Sequence, residues 1–210
     1  MIVILMAFVF FNKSQLEIEL PKGRESVLVC FGDSLTAGIG APKGKSYPDY
    51  LRNYLDVEIV NAGVPGDTAS QARERFENDV LSFDPDVVII EFGANDYFLG
   101  VSSQNTKIDL EYMVDKLLDN GTIIFIAKFF PEKSILSFIK GKDKKSYDKM
   151  YRELSSKENV FLVEDIWEEV WGRPKYMSDT VHPNEYGYEI MAKKYFEAVK
   201  TLFEYNNLLK

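Results

Sequence analysis

The chain has little of what most metal and disulfide chemistry requires: one histidine and one cysteine in 210 residues. A lone imidazole, His182, cannot build a multi-histidine metal site. A lone thiol, Cys30, excludes an internal disulfide and any cysteine-rich zinc site. It lies in the apolar run Val27-Leu28-Val29-Cys30-Phe31, so buried packing is its expected role. Positive charge is also short. The 25 Lys and Arg are outnumbered by 33 Asp and Glu, for a net charge of −8. Phosphate backbones are held by a basic footprint, so nucleic acid is not an expected partner. No stretch is long and apolar enough to cross a bilayer, which takes about 20 residues.

One shorter apolar run stands at the start, residues 1–11 (MIVILMAFVFF). It suits the apolar part of a signal peptide but lacks the basic residues before it and a clear small-residue cleavage site after it. Three readings stay open: an atypical signal or membrane anchor, the end of a longer span, or an element packed on the domain. The first two together are favoured. They imply an exported or membrane-anchored location over a cytoplasmic one, with membrane contact through the N-terminus. Residues 12–26 read as a connector, with Pro21, Gly23 and mixed charge, and residues 27–210 as one domain.

That domain alternates strand and helix. Short apolar, β-rich runs occur at 27–31, 57–61, 87–91, 122–127 and 160–163. They are nearly continuous, as strands buried on both faces of a parallel sheet should be. Helices are expected at 46–55, 68–81, 107–120, 146–157 and 185–205. The fold class implied is α/β, a three-layer sandwich around a five-stranded parallel sheet. In such folds ligands sit at the carboxyl ends of the strands.

Polar segments fall at those places. Gly32-Asp33-Ser34 follows the first strand; alone, Ser34 reads equally as a helix cap and Asp33 as a turn residue. Asn61-Ala62-Gly63-Val64-Pro65-Gly66-Asp67-Thr68 follows the second. There Gly63 offers a bare N–H to a bound oxygen, or simply an unusual backbone angle. Gly93-Ala94-Asn95-Asp96 follows the third. The Asn95 amide can donate to an oxyanion, or close an Asx turn. Near the end, Asp179 and His182 are three apart, a spacing that shares a face on a helical turn. Asp179 would then orient the ring of His182 and leave Nε2 to take a proton from a serine. The plain alternative is a histidine capping the last helix.

Together these blocks resemble the GDSL esterases, or SGNH hydrolases: Ser34 in GDSLT, Gly63 in NAGVPGDT, Asn95 in GAND and Asp179 with His182 in DTVHPN. The likeness runs from about Val27 to Phe203, with the flavodoxin-like SGNH fold as its implied architecture. It is closest to the bacterial arylesterase, thioesterase and lysophospholipase branch. The resemblance implies Ser34 as nucleophile, His182 as base and Asp179 as its orienting acid. The oxyanion would be met by Ser34 and Gly63 N–H groups and the Asn95 amide. Asp33 and Asp96 would support their loops, and no metal or organic cofactor is needed. The implied substrate is a small-molecule carboxylic ester or thioester with a short to medium acyl, aryl or lysophospholipid group. Alternatives with the same residues are a carbohydrate O-acetyl esterase, an acyltransferase, or a member that only binds an acyl group. Oligomeric state is not legible.

Aromatic and apolar residues near these loops are candidates for an acyl pocket: Tyr97, Phe98 and Leu99, Phe129 and Phe130, and Trp167, Trp171, Tyr176 and Met177. The run Ile135-Leu136-Ser137-Phe138-Ile139, followed by Lys140, Lys142, Lys144 and Lys145, reads as an amphipathic cover first and as a membrane-facing patch second.

Overall fold

The computed structural model describes residues 16–129 and 144–210. Residues 1–15, Phe130 and the segment 131–143 lie outside them, and with them the N-terminal run and the Ile135–Ile139 patch. Five parallel strands form one sheet: β1 (Val27–Gly32), β2 (Glu58–Gly63), β3 (Val87–Glu91), β4 (Ile123–Ala127) and β5 (Val160–Val163). Their order is β2-β1-β3-β4-β5, the flavodoxin-like arrangement. Every residue of β1, β3 and β4 is buried, which is why these runs carry no polar alternation.

Topology decides which face each helix takes. The step from β1 to β2 runs one way along the sheet, and every later step runs the other way. Right-handed crossovers therefore put α1 (Ser34–Ala37) and α2 (Tyr47–Leu51) on one face. They put α3 (Ala69–Asp79), α5 (Ser103–Asp119) and α6 (Lys144–Leu154) on the other. The last helix, α7 (Glu185–Tyr205), packs on α2, while α3 and α6 pack on α5. A one-turn helix, α4 (Ala94–Phe98), follows β3. The sheet thus reverses direction between β1 and β3, and the loops that leave these two strands open a crevice at their carboxyl ends.

Caps set the helix bounds. Ser46 with Asp49 and Thr68 with Gln71 form capping boxes for α2 and α3. Four helices differ from expectation, among them α6, which ends at Leu154. The Ser102 hydroxyl accepts from Asn105 N–H and starts α5 four residues early. α3 stops at Asp79, because Val80 leaves helical geometry at φ −130°, and a 3-10 turn follows at Leu81–Phe83. α2 ends at Leu51, and Leu55 instead pairs with Leu209 beside the end of α7. Residues 16–26 lie against the domain: Leu16 and Leu20 are buried, and Asn206 accepts from Leu20 N–H and donates to Ile18 O.

Candidate active site

β1 ends at Gly32, where an added Cβ would overlap Thr36 Oγ1. Only glycine lets α1 begin this close to the strand. Asp33 caps that helix, its Oδ1 accepting Leu35 N–H at 3.0 Å. Ser34 becomes the first helical residue, with its hydroxyl at the carboxyl edge of the sheet.

His182 arrives from the far end of the chain. Its Nε2 stands 3.1 Å from Ser34 Oγ and its Nδ1 2.7 Å from Asp179 Oδ2. The Asp179–His182 spacing is not a helical turn, as the sequence spacing implied. It is a tight turn closed by Ser178 N–H to His182 O and by pairing of Met177 with Pro183. Asp179 Oδ1 accepts the N–H groups of Val181 and His182 at 2.8 and 2.7 Å. Burial works to raise the Asp179 carboxyl, but the His182 ring and these N–H groups outweigh it and hold it down to about 2. The carboxylate stays ionised behind the ring at any pH where an imidazole can act as a base.

Asn95 is brought to the same place by α4. Its Nδ2 donates to Asp33 Oδ2 and to Asp67 O, both at 2.9 Å. Asp96 is buried beneath it, accepting from Ala69 N–H at 3.0 Å and from the Thr106 hydroxyl at 3.1 Å. These bonds tie the loop after β3 to α3 and α5.

Gly63 is not in this group, which corrects the sequence assignment. Its N–H is taken by Asn61 Oδ1 at 3.0 Å. A Cβ on it would overlap the Ala37 backbone nitrogen, so it is a glycine because α1 packs against β2. Gly66, three residues on, lines the cleft with Ser34, Asn95 and His182. It turns left-handed at φ 88°, and no hydrogen bond among the described residues engages its N–H or that of Ser34.

The cleft holds about 450 Å³ and is walled by Ile39, Pro65, Phe98, Phe129 and Val181. Of the expected pocket residues, Phe98 and Phe129 reach it, their rings 5.7 Å apart edge to face. Trp167 is buried and does not line the cleft; its ring meets Phe129 and Trp171 edge to face. Tyr97 turns inward onto Tyr147 and Leu99 is exposed. Tyr176 and Met177 shape the turn before His182 rather than the cleft.

Arg75, on α3, gave no signal in the sequence. Its Nε pairs with Asp67 at 2.6 Å, and its Nη atoms reach Asp79, Ala62 O and Gly32 O. The guanidinium lies over the Phe31 ring at 4.5 Å. One side chain thus clamps the ends of β1 and β2 to each other.

A serine, a histidine and an aspartate joined in file beside an apolar cleft, at the reversal point of this sheet, define a serine ester hydrolase. Residues 30–190 match the model of the GDSL-like lipase/acylhydrolase family, and the chain belongs to that family. It is 30% identical over 162 residues to an arylesterase of Vibrio mimicus, covering 74% of this chain and 79% of the relative. It is 27% identical over 161 residues to the thioesterase 1/protease 1/lysophospholipase L1 of Escherichia coli K12, covering 75% of each. The crystal structure of TesA shares the fold, with a TM-score of 0.75 at 22% identity over 84% of this chain and 99% of that one. AlinE4, an SGNH-hydrolase family esterase, matches with a TM-score of 0.63 at 29% identity over 86% and 97%.

Proposed function

We propose that the protein hydrolyses carboxylic esters or thioesters with short to medium acyl or aryl groups, through an acyl-Ser34 intermediate. The observation that carries this reading is the unbroken line from Asp179 through His182 to Ser34 Oγ. Ser34 Oγ attacks the carbonyl carbon while His182 Nε2 takes its proton. Asp179 fixes the tautomer and stabilises the imidazolium. The oxyanion is met by the Ser34 and Gly66 N–H groups. It also competes for the Asn95 hydrogen now given to Asp67 O. His182 then protonates the leaving group, and water, activated by the same ring, releases the acid. The acyl or aryl group rests on Ile39, Phe98 and Phe129. Relatives named as an arylesterase and as a thioesterase/lysophospholipase support this substrate range.

The test is hydrolysis of p-nitrophenyl acetate and butyrate, with fluorophosphonate labelling. Wild type is expected to turn over both and to be labelled at Ser34; Ser34→Ala and His182→Ala are expected to lose hydrolysis. Full activity in either variant rules the mechanism out.

A further inference from the structure

At the carboxyl end of β3, Glu91 is wholly buried and paired in register with Gly32. Thr36 Oγ1 donates to its Oε2 at 3.2 Å and meets the Tyr47 hydroxyl at 3.2 Å. Oε1 receives no hydrogen bond from any described residue. Beside the Glu91 carboxyl lie the carboxyl of Asp33, which is also buried, and the Asp33 backbone N–H. Asp33 already accepts from Leu35 N–H and from Asn95 Nδ2. Two carboxylates side by side in a dry site do not both ionise. A buried oxygen without a donor is itself costly. Both difficulties have one resolution: Oε1 carries a proton and donates it to a hydrogen bond.

We propose that Glu91 is held as a neutral carboxylic acid whose Oε1–H donates to the Asp33 carboxylate, and that this bond fixes the carboxylate that aims the Asn95 amide. Glu91 is then a positioning residue, touching neither substrate nor the reacting atoms. Its proton also keeps a second negative charge from lying beneath the oxyanion. Burial pushes the Glu91 carboxyl well above the usual range, and the charge of Asp33 pushes it further. Burial raises Asp33 as well, to about 6, against the pull of Leu35 N–H, the Glu91 hydrogen bond and His182. The other titratable groups facing the pair are Tyr47 from α2, Tyr151 from α6, Tyr188 and Tyr195 from α7, and His182 from the turn before α7. Burial keeps the four tyrosine hydroxyls protonated, so none supplies a competing anion. Arg75 from α3 donates to Gly32 O beside them.

Infrared difference spectra of wild type against Glu91→Gln near neutral pH test the proton directly. A protonated-carboxyl C=O stretch is expected in wild type and absent from the variant; no such band overturns the proposal. The kinetic arm rests on the ester-hydrolase reading and uses p-nitrophenyl butyrate. Glu91→Leu is expected to lower kcat about tenfold or more with KM within about twofold. Glu91→Gln is expected to recover most of that loss, because its amide still donates to Asp33 and accepts from Thr36. Equal impairment in both variants overturns the positioning role. Should Glu91→Leu fail to fold, the infrared band and the activity of Glu91→Gln decide. An inactive wild type with the band present counts against the hydrolase reading and leaves the proton assignment standing.

Discussion

The Asp179 carboxylate is half exposed, yet it accepts three hydrogen bonds, one from the His182 ring and two from backbone N–H groups. Those bonds give it two separable jobs. The backbone bonds shape the turn; the ring bond holds the tautomer. Asp179→Asn keeps an acceptor for the turn but no longer demands Nδ1–H of the ring. We expect the fold and KM to persist while kcat drops by about 10³ to 10⁴, as when a triad acid is neutralised. Steady-state kinetics beside a circular dichroism melt check this. A loss of less than tenfold would reduce Asp179 to a turn residue.

At the scale of elements, two glycines in one loop do different work. Gly63 lets α1 lie against β2, and Gly66 turns the loop back over the cleft. Gly63→Ala is expected to lower stability and activity together, because α1 carries Ser34. Gly66→Ala meets open space. It costs about 1 kcal/mol for its left-handed backbone, but kcat should fall about tenfold to a hundredfold as an oxyanion donor shifts. Thermal melts read with kcat separate the two, and an unchanged kcat in Gly66→Ala would return the donor role to Gly63. The sequence could not rank these residues. NAGVPGDT contains both, and the choice depends on where α1 lies, a fact fixed far upstream at Ser34–Ala37. What was legible was what neighbouring residues decide: five strands from their nearly continuous apolar runs, and α7 from its Asn184 cap to Tyr205. Ser34, Asn95 and His182 were legible too, because each stands just past a strand or before the last helix. Glu91 and Arg75 were not, since their partners are joined to them only by the register of β1 with β3 and by the docking of α3.

For the molecule as a whole, the buried acid pair gives stability a direction in pH. Groups raised on folding contribute fully below the ordinary carboxylate range, and that contribution is lost as pH rises through their folded values. For Asp33 that passage lies at about 6, and burial with the charge of Asp33 holds Glu91 well above the ordinary carboxylate range. Asp179 acts oppositely. Its contribution is present above the ordinary value and is lost as pH falls toward about 2. The expected result is a wild type that loses stability relative to Glu91→Gln from neutral to alkaline pH, by at most about 1.4 kcal/mol per pH unit for one titrating group. Denaturant titrations across that range check it, and parallel curves for the two proteins would show that Glu91 is already ionised in the folded protein.

Ser34 and His182 meet across 148 positions of chain. The seam between them is held by Tyr188 OH donating to Ile39 O and by Gly40, which has no room for a side chain against Pro183 and His182. Closing so long a loop is an entropic cost that nothing local repays. The strands can pair and the early helices dock while the serine still lacks its base. On the proposed mechanism, a chain arrested before α7 docks is expected to be inert, a safeguard for any cell that must make a hydrolase without exposing its contents to one half finished.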